Sequence, residues 1–279
     1  MTTKKRNILI LLFLVLTSMK VPAQGIFVSS ADSLPEGTKL VTNAKLIGVG
    51  ATQILDNYLS PEHYNGVDAR FLSHTVRERK GSDWSRQLVW QGNVAFADNR
   101  ANEGSEMAGT LNFQYAIHHR WQMLAGRLRL KAGAMVDANV GFLYNTRNGN
   151  NPAQARLSLD LSPSVAAAYD FRLWGKPLTL NYEASAPLVG LMFSPNYGQS
   201  YYEIFSEGNY DHNLVPTTFG STPSLRQMLT VDFRLLHTTW RVGYLGDYRQ
   251  ASVNHLKSHT YTHAVVIGVV RKFSVVKLK

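Results

Sequence analysis

Residues 128–145 read LRLKAGAMVDANVGFLYN, and the two alternating sets of positions in this stretch differ in chemistry. The even positions from Leu128 to Phe142 are all apolar, whereas the odd positions include Arg129 and Lys131. Successive side chains of a β-strand point to opposite faces, so the stretch predicts a strand with one apolar face. At ~3.3 Å per residue the strand is about 60 Å long, against roughly 17–20 Å for a common globular strand.

The same alternation recurs along the chain. It is clear in 87–98, 106–118, 153–171, 178–188, 225–235 and 240–249, and less regular in 38–51, 66–78 and 258–273. Long strands that repeat in a secreted chain are typical of outer-membrane barrels. We therefore predict an all-β fold, a transmembrane antiparallel up-and-down β-barrel of about ten strands. Twelve strands are the alternative and need an extra hairpin within 193–224. A soluble lipocalin-like barrel or sandwich is disfavoured, because the polar rows are rich in Gly, Ala, Ser, Asn and Thr.

The connections between these strands alternate in length. We expect short ones at 79–85, 125–126, 172–176 and 237–238, and long ones at 52–65, 97–105, 146–152, 193–224 and 251–257. Bacterial barrels have short periplasmic turns and longer external loops. All five tryptophans lie in or near the short connections, which predicts a periplasmic aromatic girdle. They are Trp84, Trp90, Trp121, Trp174 and Trp240.

The first residues indicate export. Lys4, Lys5 and Arg6 precede an apolar run, and Ala23 ends a small-residue cleavage motif. This order predicts a signal peptide at 1–23 that directs Sec export, a periplasmic lead at 24–37 and an outer-membrane β-barrel at 38–279. The expected partners are outer-membrane lipid and the barrel assembly machinery. The chain has no cysteine, so it cannot carry a lipoprotein anchor or a disulfide.

The formal charge of +10 includes Lys4, Lys5, Arg6 and Lys20, so the mature chain carries 10 − 4 = +6. Its positive residues are spread singly along the chain, which favours lipid headgroups over nucleic acid as partners. No nucleotide loop or calcium loop is present in the sequence, and we expect no cofactor. His255, His259 and His263 are four residues apart, which on a strand places them ~13 Å apart, so we expect no metal site.

Charged residues on the rows opposite the apolar ones predict a salt-bridge network inside the barrel. Its expected members are Arg129, Lys131, Arg156, Asp160, Glu183, Arg226, Asp232, Arg234 and Arg241. Paired structural charges are the default interpretation of such an inward set. Ser73 and His74 are adjacent and face opposite ways, so no hydrolase set is evident and we predict that the chain is not an enzyme.

The longest predicted connection contains an aromatic segment, 194–211. Exposed aromatic rings beside amide and hydroxyl groups suit recognition of sugar rings or protein patches, so we predict an external recognition loop there. Its candidate residues are Tyr197, Gln199, Tyr201, Tyr202, Glu203 and Phe205. The alternative, that this loop folds inward and plugs the barrel, has equal weight. The sequence does not identify the external ligand.

Residues 194–205, Ser224–Gln227 and the run from Trp240 through Tyr244 to Asn254 resemble a family of uncharacterised Bacteroidota outer-membrane proteins, domain of unknown function 3316. The similarity covers most of the mature chain and is strongest from about 182 to 273. The resemblance implies an outer-membrane β-barrel and brings no activity or functional residues.

Three functions from different classes follow. The first is a narrow or closed barrel with a structural or surface-interaction role. The second is a small-solute channel, and the third is a barrel-embedded hydrolase. About ten strands enclose a narrow interior, whereas water-filled porins have ~16–18, which favours the first.

Overall fold

The computed structural model describes residues 36–275. In that range the chain forms twelve strands and one short helix, α1 (Tyr201–Phe205). The strands are β1 (Lys39–Asp56), β2 (Ser60–Arg79), β3 (Trp84–Asn99), β4 (Ser105–Met123), β5 (Leu128–Asn145), β6 (Ala153–Leu173), β7 (Lys176–Ser185), β8 (Val189–Phe193), β9 (Leu214–Thr218), β10 (Leu225–Leu235), β11 (Thr238–Val253) and β12 (Leu256–Val275). The predicted signal peptide (1–23) and the lead up to residue 35 lie outside the described residues.

Ten of these strands close into a barrel. Each of β1 to β5 pairs with the next strand, and β6 pairs with β7. Strands β7, β10, β11 and β12 then pair in turn and complete the circle back to β1. All pairings are antiparallel, which confirms the predicted all-β up-and-down barrel of ten strands. In this circle β1 lies opposite β6, β2 opposite β7, and β3 opposite β10.

An extra hairpin exists, as the twelve-strand alternative required, but its first strand, β8, lies before the predicted range 193–224, and the hairpin extends the wall instead of adding strands to the circle. β8 pairs with the upper part of β6 over residues 157–161, and β9 pairs with β8. Residues 186–188 interrupt the line from β7 to β8, and residues 219–224 interrupt the line from β9 to β10. We call β12 with β1–β5 the continuous wall, and β7–β10 the broken wall.

The alternation seen in the sequence separates the outside of the barrel from the lumen. On β5 the even side chains point outward, with Val136, Val140 and Phe142 exposed, while Asp137 and Asn139 are buried inside. Large apolar side chains are exposed on the other strands as well, including Trp90, Leu111, Leu159, Leu229 and Val265. A closed ladder with an apolar outer belt satisfies its backbone hydrogen bonds without water, so this barrel spans a membrane and is of the outer-membrane type.

The two ends of the barrel differ. At the end that carries Lys39 and Val275, which we call the turn end, adjacent strands are joined by connections of two to four residues, such as 80–83. The opposite end, the loop end, carries residues 100–104, 146–152 and 186–224. In bacterial barrels the short turns face the periplasm, so we expect the turn end to be the periplasmic one. Among the described residues, no helix has the length and apolar character needed to cross a membrane.

Two of the predicted long connections are wrong. The connection expected at 52–65 is the turn 57–59, and the one expected at 251–257 is the two-residue turn Asn254–His255. Both mistakes have the same cause. Strands β1, β2, β11 and β12 continue beyond the apolar belt, where outward side chains such as Gln53 and Asn65 are polar yet still belong to the ladder. A change of polarity therefore marks the edge of the membrane here and not the end of a strand.

Candidate functional site in the lumen and at the loop end

At the turn end, charged side chains meet across the lumen. Glu78 on β2 lies 3.0 Å from the guanidinium of Arg120 on β4 and 2.7 Å from the amine of Lys131 on β5. Arg129 pairs with Asp170 near the rim, where both side chains are partly exposed. Glu78 therefore links β2 to two strands that are not its neighbours, whereas Arg129 and Asp170 lie on the adjacent strands β5 and β6.

The next level is held by Glu183, which projects from β7 toward the opposite wall. Its Oε1 lies 3.1 Å from Nε2 of His74 on β2, and its Oε2 accepts a hydrogen bond from Gln87 on β3 at 3.2 Å. Beside it, Arg241 donates two hydrogen bonds to Asp232, at 2.6 and 2.8 Å. A bidentate pair of this kind is a strong one, and it joins the adjacent strands β10 and β11.

Above this level, the carboxylate of Asp247 on β11 is approached by donor side chains from three strands, one of them β11 itself. Nε of Arg249 donates to it at 3.1 Å, Gln91 on β3 donates at 3.4 Å, and Arg70 on β2 approaches to 3.5 Å. Arg70 also donates to Asp68 at 2.6 Å. Because Gln91 and Arg70 lie on β3 and β2, which are not neighbours of β11, their contacts with Asp247 cross the lumen at this height.

The loop end contains a fourth crossing. Arg156 on β6 donates to Asp56 on the opposite strand β1 at 2.8 Å and to Ser258 on β12 at 3.3 Å. Near it, Asn145 on β5 donates to the hydroxyl of Tyr64 on β2 at 3.0 Å. Polar contacts therefore cross the lumen at four heights, from the turn end to the loop end.

An apolar cluster fills the lumen side of β1, β2 and β10–β12. Its members are Ala44, Leu46, Leu72, Met228, Leu245, Val266 and Val270. These residues break the simple pattern of polar side chains inside, and this is why 38–51, 66–78 and 258–273 alternate less cleanly in the sequence. The interior combines a polar side and an apolar side that pack together.

The predicted network residues do not all have the same role in the structure. Arg156, Glu183, Asp232 and Arg241 make buried or half-buried charge contacts, whereas Arg129 and Lys131 lie at the turn end and Arg234 is exposed there. Asp160 accepts from the neighbouring Ser158 at 2.9 Å. The side chain of Arg226 makes one hydrogen bond among the described residues, to Gln91 at 3.5 Å.

Several network residues were missed by the sequence reasoning. Asp247 and Arg249 lie on the same inward row as Arg241, so the alternation itself could have identified them. Asp68, Arg70 and His74 lie on β2, whose inward row includes the apolar Leu72.

Within the upper lumen lies a cavity of about 150 Å³. Its polar lining includes Arg70, Asp137, Asp160, Arg226 and Arg249, and it reaches the broken wall at Pro187, Met192, Thr222 and Ser224. Asp137 accepts hydrogen bonds from Asn112 and Gln114, at 2.5 and 2.8 Å.

The segment 194–213, which we call the roof, covers the loop end. The hydroxyl of Tyr201 accepts a hydrogen bond from the backbone N–H of Ala155 on β6 at 2.7 Å, and its ring packs edge-on against Tyr58, 5.8 Å between centroids. Tyr58 belongs to the β1–β2 turn on the opposite side of the barrel, so Tyr201 bridges the mouth. Burial raises the pKa of Tyr201, which keeps its phenol neutral. The roof is also tied to the β11–β12 turn, where Asn254 donates to the carbonyls of Ser194 and His212.

The six candidate recognition residues separate into two groups. Gln199, Tyr201 and Glu203 hold the roof together: Gln199 accepts from Asn213 at 2.7 Å, and Glu203 accepts from the N–H of Ser200 in a capping box of α1. Tyr197, Tyr202 and Phe205 point outward and are 76%, 67% and 61% exposed. The roof is thus ordered from within and aromatic on its outer surface.

A histidine and a serine, the types of residue that serve as base and nucleophile in serine hydrolases, lie within hydrogen-bond distance of each other in the lumen. His118 on β4 and Ser164 on β6 approach to 3.0 Å between Nε2 and Oγ, a contact that the sequence did not indicate. Nδ1 of His118 has no hydrogen-bond partner in the part of the chain that the structure describes, and neither residue lines the cavity. A serine hydrolase needs a group that orients its histidine, and a space for substrate at the serine.

Four tryptophans lie at or close to the turn end: Trp84, Trp121, Trp174 and Trp240. Trp90 is the seventh residue of β3, which at the usual tilt places it about 15 Å from the turn, within the apolar belt. His259 stacks on Tyr261 at 4.4 Å, and His263 contacts Tyr244 instead of His259. Residues 36–275 contain no group of three or more side chains that could hold a metal ion.

The chain belongs to the family described as protein of unknown function (DUF3316), whose model matches residues 8–279. No curated protein matches the chain. Among solved structures it is similar to the outer membrane protease OmpT from Escherichia coli, at 8% identity over 88% of this chain and 100% of that chain, with a TM-score of 0.42.

It is also similar to the transport unit of the autotransporter AIDA-I from Escherichia coli, at 8% identity over 87% of this chain and 93% of that one, with a TM-score of 0.38. A third similar structure is Ail, the attachment invasion locus protein of Yersinia pestis, at 6% identity over 85% of this chain and 100% of that one, with a TM-score of 0.30. Similarities with TM-scores this low do not indicate that the chain shares the roles of these proteins.

Proposed function

We propose that this protein is a closed outer-membrane barrel whose role is interaction at the cell surface, and that it is neither a solute channel nor an enzyme. The observation that carries the proposal is the set of polar contacts that join non-adjacent strands through the lumen at four heights. Removing one partner of a buried charge pair is costly, so such a filling is not expected to open and close readily. The roof over the loop end supports the same conclusion.

Planar-bilayer conductance of the refolded mature chain tests whether the barrel is closed. We expect no large, steady conductance from the wild type, nor from a variant whose residues 196–211 are replaced by a short Gly-Ser linker, because the crossings in the lumen remain. The double variant Arg70→Ala/Arg249→Ala removes the crossing at Asp247 and is expected to raise conductance in the linker background. Steady wild-type conductance supports the small-solute channel and contradicts the proposal.

The interaction surface is the outward face of the roof. Tyr197, Tyr202 and Phe205 present rings to solvent, and the side chains of Asp211 and His212 beside them are exposed by about three quarters or more. Rings stack on the apolar faces of sugars, and flanking polar groups bind hydroxyls. We infer that the roof recognises saccharides outside the cell.

A glycan array tests the recognition of saccharides. We expect Tyr202→Ser/Phe205→Ser to lose binding, while Leu236→Ser, which changes an exposed apolar residue at the turn end, binds like the wild type. Absence of saccharide binding by the folded wild type contradicts this part of the proposal and leaves closure of the barrel untouched.

Export and assembly complete the proposal. We infer that the Sec pathway exports the chain, that cleavage follows Ala23, and that the barrel assembly machinery inserts residues 38–279. The N-terminal sequence of the protein purified from outer membranes is expected to begin at Gln24. A mature protein that retains residues 1–23 contradicts the inferred cleavage.

A further inference from the structure

The wall of the barrel has a weak seam on the loop side of β10. The ladder between β10 and β11 ends at the pair Leu225 and Tyr248, and β9, the next strand segment above, is paired with β8 alone in the described structure. Above this point two residues bridge the gap. The N–H of Ser252 donates to the carbonyl of Ser221 at 2.8 Å, and the hydroxyl of Ser224 exchanges bonds with the backbone of Gln250 at 3.1 and 3.3 Å.

At the seam a single layer of side chains lies between the lumen and the outer surface. Leu225, Tyr248 and Gln250 line the 150 Å³ cavity in the lumen, and the same three residues line a groove of about 280 Å³ on the outside. The groove is completed by Pro223, Tyr261 and His263. One set of side chains therefore separates the inner space from the outer one.

Just inside the seam lies a buried cation with spare donors. Arg226 is 8% exposed and lines the cavity, its Nε has no hydrogen-bond partner, and the one side-chain hydrogen bond that it makes within residues 36–275 is the 3.5 Å contact with Gln91. The other three arginines of the cavity lining each have a carboxylate within 3.5 Å: Arg70, Arg156 and Arg249. Asp247, Glu183 and Asp137 attract Arg226 from longer range, but among the described residues none of them accepts a hydrogen bond from it. Guanidinium groups bind carboxylates through paired hydrogen bonds, so the remaining donors of Arg226 are suited to a further carboxylate.

The height of Arg226 matches the outer boundary of the membrane. It lies nine positions above Leu235, the last residue of β10, which at the usual rise and tilt is about 23 Å along the barrel axis. The apolar belt of such barrels is about 25 Å tall. Below the seam, Leu225 and Leu229 point outward and are exposed to lipid.

We propose that the seam admits the headgroup of a fatty acid from the outer leaflet, whose carboxylate binds Arg226 while its chain stays in lipid beside Leu225 and Leu229. A cavity of about 150 Å³ has room for a carboxylate head. The single charge of a carboxylate also matches the one arginine of the cavity lining that has no carboxylate within 4 Å among the described residues. The proposal does not depend on the roof or on its ligand.

Equilibrium binding of radiolabelled dodecanoate to the refolded chain in nanodiscs of zwitterionic lipid tests the assignment. We expect saturable binding that Arg226→Gln weakens by about tenfold or more, because a charge-assisted contact is lost. The matched control is Arg234→Gln, the same substitution on the same inward row of β10 at the turn end, and it is expected to bind like the wild type. Dodecanol, which has the chain without the charge, and acetate, which has the charge without the chain, are both expected to bind at least tenfold more weakly.

A disulfide across the seam gives a second test that does not alter Arg226. The chain has no cysteine, so Ser224→Cys/Gln250→Cys introduces one pair whose oxidation locks the gap. The oxidised form is expected to lose dodecanoate binding and the reduced form to recover it. The control pair, Ala132→Cys/Val165→Cys on the facing strands β5 and β6, is expected to bind in both states.

Heat-modifiable migration on gels shows that each variant has folded. Binding of dodecanoate that is unchanged in folded Arg226→Gln overturns the proposal. Equal binding of dodecanol, or binding that persists in the oxidised seam variant, overturns it as well.

Discussion

The continuous wall and the broken wall are built from the same kinds of residue, yet they solve the problem of backbone hydrogen bonding differently. In the continuous wall, β5 pairs along its full length with β4, and along nearly all of it with β6. In the broken wall, residues 186–188 and 219–224 leave the ladder, and Pro187 and Pro216 occur where a central strand excludes proline. Side chains such as Ser224 replace the missing backbone partners.

This difference shows at which height the ladder of backbone hydrogen bonds in a membrane barrel can be interrupted. Unpaired backbone groups are costly in the hydrocarbon, so the lower part of every wall keeps its ladder. The irregular segments begin near the outer boundary of the belt, where water and headgroups offer hydrogen bonds. The seam at Arg226 lies at this boundary, whereas the bidentate pair Arg241–Asp232 lies in the regular part below it.

Loss of a paired arginine is expected to have the largest effect. Arg241→Ala leaves the buried Asp232 without its partner and is expected to destabilise the barrel by about 3–5 kcal/mol. Arg226→Met removes a guanidinium that has no carboxylate within 4 Å in the described structure and is expected to cost less than about 1 kcal/mol, or to stabilise. Denaturant titrations in lipid vesicles measure the free energy of unfolding of both variants. Equal losses of stability would contradict the distinction between Arg241, which lies in the regular part of the barrel, and Arg226, which lies at the seam.

A charge in the apolar belt is expected to have the next largest effect. Val136 lies near the middle of the continuous wall, so Val136→Arg is expected to destabilise by about 2–4 kcal/mol. Leu188, in the broken wall, lies near the outer boundary, and Leu188→Arg is expected to cost about 0–1 kcal/mol. The same titrations compare them, and a cost at Leu188 as large as that at Val136 would contradict the placement of the boundary.

Detaching the roof is expected to have a smaller effect. Tyr201→Phe removes the hydrogen bond from Ala155 while keeping the ring contact with Tyr58, and is expected to cost about 0.5–1.5 kcal/mol. Tyr202→Phe is the matched control, because the Tyr202 side chain points to solvent. A difference near zero between the two variants would show that the roof is not tied to β6 by this bond.

Hydrogen exchange is expected to detect the smallest difference. The backbone amides of 249–253 and 214–224 should exchange faster than those of 128–145, because few ladder bonds protect them on the side of the seam. Mass spectrometry of peptides from the barrel in nanodiscs measures the rates. Uniform protection of all three segments would mean that the seam is as firmly closed as the continuous wall.

Much of the fold could be predicted from the sequence because alternation is a local property. The faces of β3, β4, β5, β6, β10 and β11 agree with the prediction, and so does the strand count. The apolar lumen cluster around Leu46 and Leu72 obscured the alternation in β1, β2 and β12. The connections at 52–65 and 251–257 were wrong because polarity was taken as the end of a strand.

Less of the candidate site could be predicted. The alternation places Glu183 and Arg226 alike on inward rows, but their partners come from residues about 100 positions away. Glu183 meets His74 and Gln87, whereas Arg226 faces a cavity beside an interrupted wall. A local pattern with a period of two residues carries no information about which side chains face each other across a closed barrel.

The sequence by itself determined which side of each regular strand faces lipid, because that choice depends only on the chemistry of successive residues. Only the tertiary structure decided which charges are paired, where the wall is interrupted, and that the roof spans the mouth from β6 to the β1–β2 turn. These properties depend on how β1 pairs with β12 when the sheet closes into a barrel. The register of that pairing results from the registers of all the other strand pairs, so no single segment of the sequence specifies it.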